Sequence, residues 1–228
     1  MDIETSWPWM ILVTWTLGLR HGLDLDHIAT IDAITRTVRD NQIFSKTVGL
    51  LFSLGHGIVV TLISIIIGAG IIESHVPEWL EGFGNWISIS FLALFGALNL
   101  WNVFQKTPSS NLPVGIKNFL VKKIIGEKQN PFFVVGIGAL FAFSFDTFSQ
   151  IALFAISASL LSGWGLSAIL GLSFTIGMVM TDGFNGFFVS TLIQRADRTS
   201  LLVSRGLGLV ISIFSFAICA SGLLKILL

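Results

Sequence analysis

The stretch Arg20-His21-Gly22-Leu23-Asp24-Leu25-Asp26-His27-Ile28-Ala29-Thr30-Ile31-Asp32 decides how this chain is read. It holds one arginine, two histidines and three aspartates, and it follows directly on an apolar run over 7–19. That run is too short to cross a hydrocarbon core of about 30 Å at roughly 1.5 Å per residue. To cross, the helix must carry the quoted stretch with it, which puts Arg20 to His27 near mid-membrane. Charged side chains there cost roughly 2.5–3.5 kcal/mol each on the insertion scale. They are expected to face the protein interior and to find partners there.

The rest of the chain supports a membrane setting. Of its 228 residues, 53% are hydrophobic and 11% charged, with a mean hydropathy of +0.85; a soluble domain carries about a quarter charged residues. The formal net charge of zero gives no reason to expect nucleic acid. Cys219 is the single cysteine and lies in an apolar segment, so it reads as a packing residue, not as part of a disulfide framework. The N-terminal residues MDIETSWPW are acidic where a signal peptide is basic, and no cleavage site follows. The first apolar segment is expected to stay in the mature protein.

Six apolar segments stand out, at 8–36, 47–72, 84–105, 131–161, 165–193 and 200–227. The fourth begins at Pro131 and carries Asp146, Thr147, Ser149 and Gln150, the pattern of a broken helix. Loop charges alternate. Arg36, Arg39 and Lys46 follow the first segment; Glu73, Glu78 and Glu81 follow the second; five lysines lie in 106–130; Arg195 and Arg198 follow the fifth. The positive-inside rule places the basic loops in the cytoplasm and both termini outside. The expected fold is an all-α, polytopic membrane protein of about six transmembrane helices with the N-terminus outside. It forms one permease domain over 1–228, with an amphipathic cytoplasmic loop at 106–130. In that loop Ile116, Phe119, Leu120 and Ile124 share a face opposite the lysines, which fits an interfacial helix. No low-complexity tract, soluble domain or clear repeat is visible.

On one continuous helix at about 100° per residue, Arg20, His21, Asp24 and His27 fall on one face, and Asp26 points to a different neighbour. Arg20–Asp24 is an i,i+4 pair and Asp24–His27 an i,i+3 pair. Imidazole nitrogen with carboxylate oxygen suits nickel, cobalt, zinc or iron. A purely structural ion-pair network is the plain alternative. The second segment adds His56 between Gly55 and Gly57, and the fifth groups Thr181, Asp182 and Asn185 among glycines. Interhelical hydrogen bonding, worth about 0.6 kcal/mol, explains buried Ser and Thr but explains aspartate poorly. Four segments with polar centres suggest a pathway, with the third and sixth as scaffold.

Together these motifs resemble the nickel/cobalt transporter (NiCoT) family. The family's H-x4-D-H element, usually within R-H-A-x-D-A-D-H-I, stands here as Arg20-His21-Gly22-Leu23-Asp24-Leu25-Asp26-His27-Ile28. Leu54-Gly55-His56 matches its G-H motif, Phe145-Asp146-Thr147-Phe148-Ser149-Gln150 its F-D-T-x-[ST]-E motif, and Gly177-Met178, Asp182, Asn185 and Gly186 its G-M-x3-D-T-x-D-G motif. The first element is specific; the last two are weak alone. Gln150 stands where the family has an acidic residue, and Gly183 and Asn185 where it has Thr and Asp. Two negative charges are thereby lost, which bears on affinity and metal choice. Family members usually have about eight spans, including one before the hallmark helix; the sequence here starts at the hallmark, and the loss of that span is expected to go with the outside N-terminus.

The resemblance implies a secondary permease of the cytoplasmic membrane for Ni2+ or Co2+, most simply an uptake system and not an enzyme. It implies metal recognition by His21, Asp24, Asp26, His27 and His56, with Asp146, Thr147, Gln150, Asp182 and Asn185 along the pathway and Arg20 in support. The metal is substrate, no cofactor is expected, and the bilayer is the other partner. On this reading Glu73, His75, Glu78 and Glu81 sit on the outer side, either gathering cations or simply solvated. Other readings stay open. An efflux permease for the same metals is the nearest, although no His-rich loop is present. An intramembrane metalloenzyme is under-supplied by four histidines without H-E-x-x-H. A metal-free accessory membrane protein is the third.

Overall fold

The computed structural model describes residues 3–71, 78–104, 130–144, 148–159, 163–195 and 198–227. Their regular structure is entirely α-helical: α1 (Ile3–His21), α2 (Leu25–Thr37), α3 (Gln42–Gly68), α4 (Glu78–Phe104), α5 (Pro131–Phe141), α6 (Phe148–Ser159), α7 (Trp164–Gln194) and α8 (Arg198–Leu227). Helices α3, α4, α7 and α8 are each long and apolar enough to cross a membrane. Helices α5 and α6 are shorter apolar pieces of the fourth segment. The expected interfacial helix within 106–130, and the side chains of Glu73, His75, Glu78 and Glu81, lie outside the described residues.

The first segment is not one helix, which corrects the single-face reading of 20–27. Helix α1 stops at His21. The chain then tightens through Leu23 N–H to the Arg20 carbonyl (3.0 Å) and Asp24 N–H to the His21 carbonyl (2.9 Å). Asp24 is extended, at φ −65° and ψ 143°, and its carbonyl opens α2 by accepting from Ile28 N–H. Gly22 is a weak helix former at this point. It also has to be small, because a Cβ there would run into Thr181 Oγ1 of α7. The fourth segment is interrupted in the same way. Phe143 N–H bonds to the Leu140 carbonyl and Ser144 N–H to the Phe141 carbonyl before α6 begins at Phe148. Backbone can leave the helix at such depth only where protein or a cavity covers it.

Packing follows an exchange plan that the sequence did not display. Helix α3 lies along α7 in the most extensive pair, α4 pairs with α8, and α1 leans on α7 as α5 leans on α3. The α3–α7 approach is close because Gly49 faces Gly186 and the Asp182 carbonyl, with no room for a Cβ. Two apolar clusters result. One gathers Ile31, Ile34, Val48, Phe52, Phe95 and Phe141; the other gathers Val60, Leu153, Leu170, Phe174 and Met178. The imidazoles lie between them. Phe52 meets the His27 ring edge-on at 4.9 Å between centroids, and Phe174 lies 5.2 Å from His21.

Candidate metal site

His21 is the last residue of α1, His27 lies in the first turn of α2, and His56 sits midway along α3. All three are buried, with at most 1% of their surface exposed. One ligand atom from each lies within 4.8 Å of the others. Their ring centroids form a near-equilateral triangle of 4.6, 4.8 and 5.0 Å. His21 Nε2 and His56 Nε2 already stand 3.1 Å apart. Nitrogens bound tetrahedrally at about 2.1 Å from one metal would be spaced roughly 3.4 Å apart. His21 and His56 are already near that spacing, and the wider edges of the triangle, up to 4.8 Å, must shorten by up to about 1.4 Å to close on a cation.

Two carboxylates hold two of the rings from behind. His21 Nδ1 faces Asp24 Oδ2 at 3.1 Å, and His27 Nδ1 faces Asp182 Oδ2 at 3.0 Å. A carboxylate that only accepts requires Nδ1 to carry the proton, which leaves Nε2 with its lone pair for a metal. His27 Nε2 is buried without a hydrogen-bond partner, and so is His56 Nδ1. Unpartnered buried nitrogens are costly. Here both belong to rings of the imidazole triangle, which leaves each of these two rings a nitrogen without an acceptor or donor among the described residues. Ser53 Oγ donates to Asp182 Oδ2 at 2.6 Å and fixes that carboxylate.

The other candidate residues divide. Arg20 reaches Asp24 at 3.5 Å and donates to Ser149 Oγ. Asp24 therefore pairs backwards with His21 and Arg20, and the expected Asp24–His27 pair does not form, because the break turns His27 away from it. Asp26 is buried, accepts the His27 N–H at 2.9 Å, and lines a cavity with Asp24. Gln150 is fully buried and donates Nε2 to the Ala142 carbonyl at 2.8 Å, across the interruption of the fourth segment. Asn185 is half-buried, with its amide nitrogen unpartnered. Asp146 and Thr147 lie outside the described residues.

The sequence reading gives no role to Ser53 or Asp32, and no partner to Ser149. Ser53 precedes His56 by one helical turn, a spacing that could have exposed it. Ser149 answers Arg20 through tertiary contact alone. Asp32 belongs to the opening stretch and had been given no role. It binds Arg36 Nε at 2.7 Å in a buried pair.

The family described as High-affinity nickel-transport protein matches residues 7–223. The chain belongs to that family. Among similar high-affinity nickel-transport proteins, one from Cryptococcus neoformans is 30% identical over 84% of this chain and 46% of its own length. The nickel transporter NixA of Staphylococcus aureus is 31% identical over 78% of this chain and 60% of its own. The high-affinity nickel-transport protein NixA of Helicobacter pylori is 30% identical over 83% and 65%. The chain thus spans about half to two thirds of the length of these nickel-transport relatives. No solved structure matches it. Membership in the high-affinity nickel-transport family places this chain among multi-pass helical membrane proteins, in keeping with the four long apolar helices among the described residues.

Proposed function

We propose that this chain is a secondary permease of the cytoplasmic membrane that takes up Ni2+ or Co2+. The carrying observation is the meeting of His21, His27 and His56 from three helices, buried, with ligand atoms within 4.8 Å. Neutral imidazole is the ligand these ions prefer among those available inside a membrane. Family membership and the nickel-transport names of the relatives support the same substrate. Asp24 and Asp182 orient the rings, and Asp26, Gln150 and Asn185 belong to the path; the family resemblance adds Asp146 and Thr147 to it. Arg20 holds Asp24 when no cation is bound, which limits the cost of a bare carboxylate at this depth.

Two interrupted segments around a midplane site, set in an exchange-related packing plan, are the parts that alternating access uses. An inside-negative membrane potential favours inward movement by about 2.3 kcal/mol per charge per 100 mV. Six spans with both termini outside, as the loop charges imply, complete the reading. The test is accumulation of radiolabelled Ni2+ and Co2+ by cells expressing the chain, against His21→Ala, His27→Ala and His56→Ala at matched expression. Each substitution is expected to bring uptake to background. Loading cells and following release measures the opposite direction. Unchanged uptake in all three variants would remove the basis of the reading.

A further inference from the structure

Behind the imidazoles lies a second space that the transport reading does not use. It is a cavity of about 270 Å3 walled by Leu23, Asp24 and Asp26 at the helix break, Ser88 and Leu92 of α4, and Ile218 of α8. The two carboxylates alone would be an acidic pair of no special meaning. Ser88 changes that. It is 5% exposed, it lines the cavity, and it makes no hydrogen bond to any described residue. A helical serine ordinarily satisfies itself on the preceding turn, as Ser212 and Ser215 do. The Ser88 hydroxyl is instead left for whatever occupies the space.

Size and chemistry select the occupant. A divalent ion with six waters, at roughly 30 Å3 per water, needs about 180 Å3, and the cavity can hold it whole. Carboxylates and a hydroxyl accept hydrogen bonds from such waters. The apolar remainder of the wall, Leu23, Leu25, Leu92 and Ile218, offers no ligand that would strip them. The space also adjoins the imidazoles. Asp24 Oδ2 stands 3.1 Å from His21 Nδ1, and Asp26 accepts the His27 N–H. The Asp24 side chain is 18% exposed while those of His21 and His27 are at most 1% exposed, so the carboxylate is the wetted side of the contact. Ser88 lies about 15 Å along α4 from its first residue and Ile218 about 14 Å from the end of α8, at 1.5 Å per residue. With the basic loops inside, both ends belong to the outer half of the bilayer.

We propose that this cavity is an antechamber that holds a hydrated divalent cation, bound through its waters by Asp24, Asp26 and Ser88, before it loses them to the three histidines. The proposal rests on the permease reading. It gives Asp24 and Asp26 an outer role, and it makes α4 and α8 the wall of the access route.

The test uses the full chain in lipid nanodiscs with Co2+ as probe, its visible spectrum reporting imidazole ligation, in equilibrium titration and in stopped flow. A route changes rates and leaves an equilibrium constant alone. Leu92→Trp, which fills the cavity, is expected to slow Co2+ loading at least tenfold with equilibrium affinity within about twofold of the parent. Ser88→Val is expected to slow loading about threefold. Leu94→Trp, on the exposed face of the same helix, should load like the parent. Mg2+ keeps its waters and shuns imidazole, so millimolar Mg2+ should slow loading in the parent without displacing bound Co2+, and should lose that effect in Ser88→Val. Parent-like loading in both cavity variants, or no effect of Mg2+ on the parent, overturns the antechamber while the permease reading stands. A parent that gives no imidazole-bound Co2+ spectrum overturns both. Should Leu92→Trp fail to fold by gel filtration, Ser88→Val decides by the same two readings.

Discussion

His27 and Asp182, 155 residues apart in sequence, share a 3.0 Å hydrogen bond with both side chains fully buried. The bond sets the tautomer of His27, the one imidazole among the described residues whose Nε2 has no partner. It also ties the helix break to α7, the longest helix described, through a carboxylate that Ser53 holds from α3.

Because Asp182 acts through His27, its loss should weaken the metal without removing a ligand. Asp182→Asn is expected to lower Co2+ affinity about 10–100-fold, measured by calorimetry on purified protein, with gel-filtration behaviour unchanged. The amide can turn its NH2 toward His27 Nδ1 and reverse the tautomer. Ser53→Ala should produce a smaller loss in the same direction. Parent affinity in Asp182→Asn would show that the carboxylate does not orient the ring.

Gln150 stands where the family resemblance calls for an acid, and the natural expectation is that glutamate would improve the site. The structure argues the reverse. The Gln150 amide donates to the Ala142 carbonyl across the interruption of the fourth segment. Glutamate cannot donate there when ionised and would set oxygen against oxygen. Gln150→Glu should cost about 1–3 kcal/mol of stability, read by denaturant titration in mixed micelles, with no gain in Co2+ affinity. A stabilised or tighter-binding variant would contradict the assignment.

Asp32 and Arg36 form a buried pair at 2.7 Å. Removing one member strands the other. Arg36→Met alone should cost roughly 3–5 kcal/mol, while the double variant Asp32→Leu/Arg36→Met should recover most of the loss. The double-mutant cycle in the same denaturation assay measures the coupling. Additive losses would mean that the two charges do not depend on one another.

Gly49 packs against the Asp182 carbonyl, and Gly136 has open space around its missing side chain. Gly49→Ala must therefore push α3 from α7. It is expected to cost roughly 1–3 kcal/mol and to lower Co2+ affinity, because Asp182 moves with its backbone. Gly136→Ala, in the same protein, should stay within about 1 kcal/mol of the parent. Equal effects at both positions would remove the close-approach argument.

Much of this was legible in the residues. Thirteen apolar residues before Arg20 cannot cross a bilayer, and that length alone forces the polar stretch inward. Hydropathy marks the long helices, because the cost of unpaired backbone in lipid leaves the chain little choice but helix. The same cost singles out His21, His27, His56 and Asp182 as side chains that need partners. Of the partners, the i,i+4 pair of Arg20 with Asp24 was legible and the rest were not. Periodicity assumes an unbroken helix and so pairs Asp24 with His27, where the chain breaks after His21 and gives Asp24 to His21. Periodicity also says nothing about the space between α4, α8 and the break.

The sequence by itself determined that this chain is helical and apolar, and that its imidazoles and the carboxylates among them need partners inside the protein, since those outcomes follow from local hydration costs residue by residue. Only the tertiary structure decided which of them meet. Distance between side chains on different helices depends on where the backbone breaks and how closely glycines let helices approach. Both are properties of the packed whole.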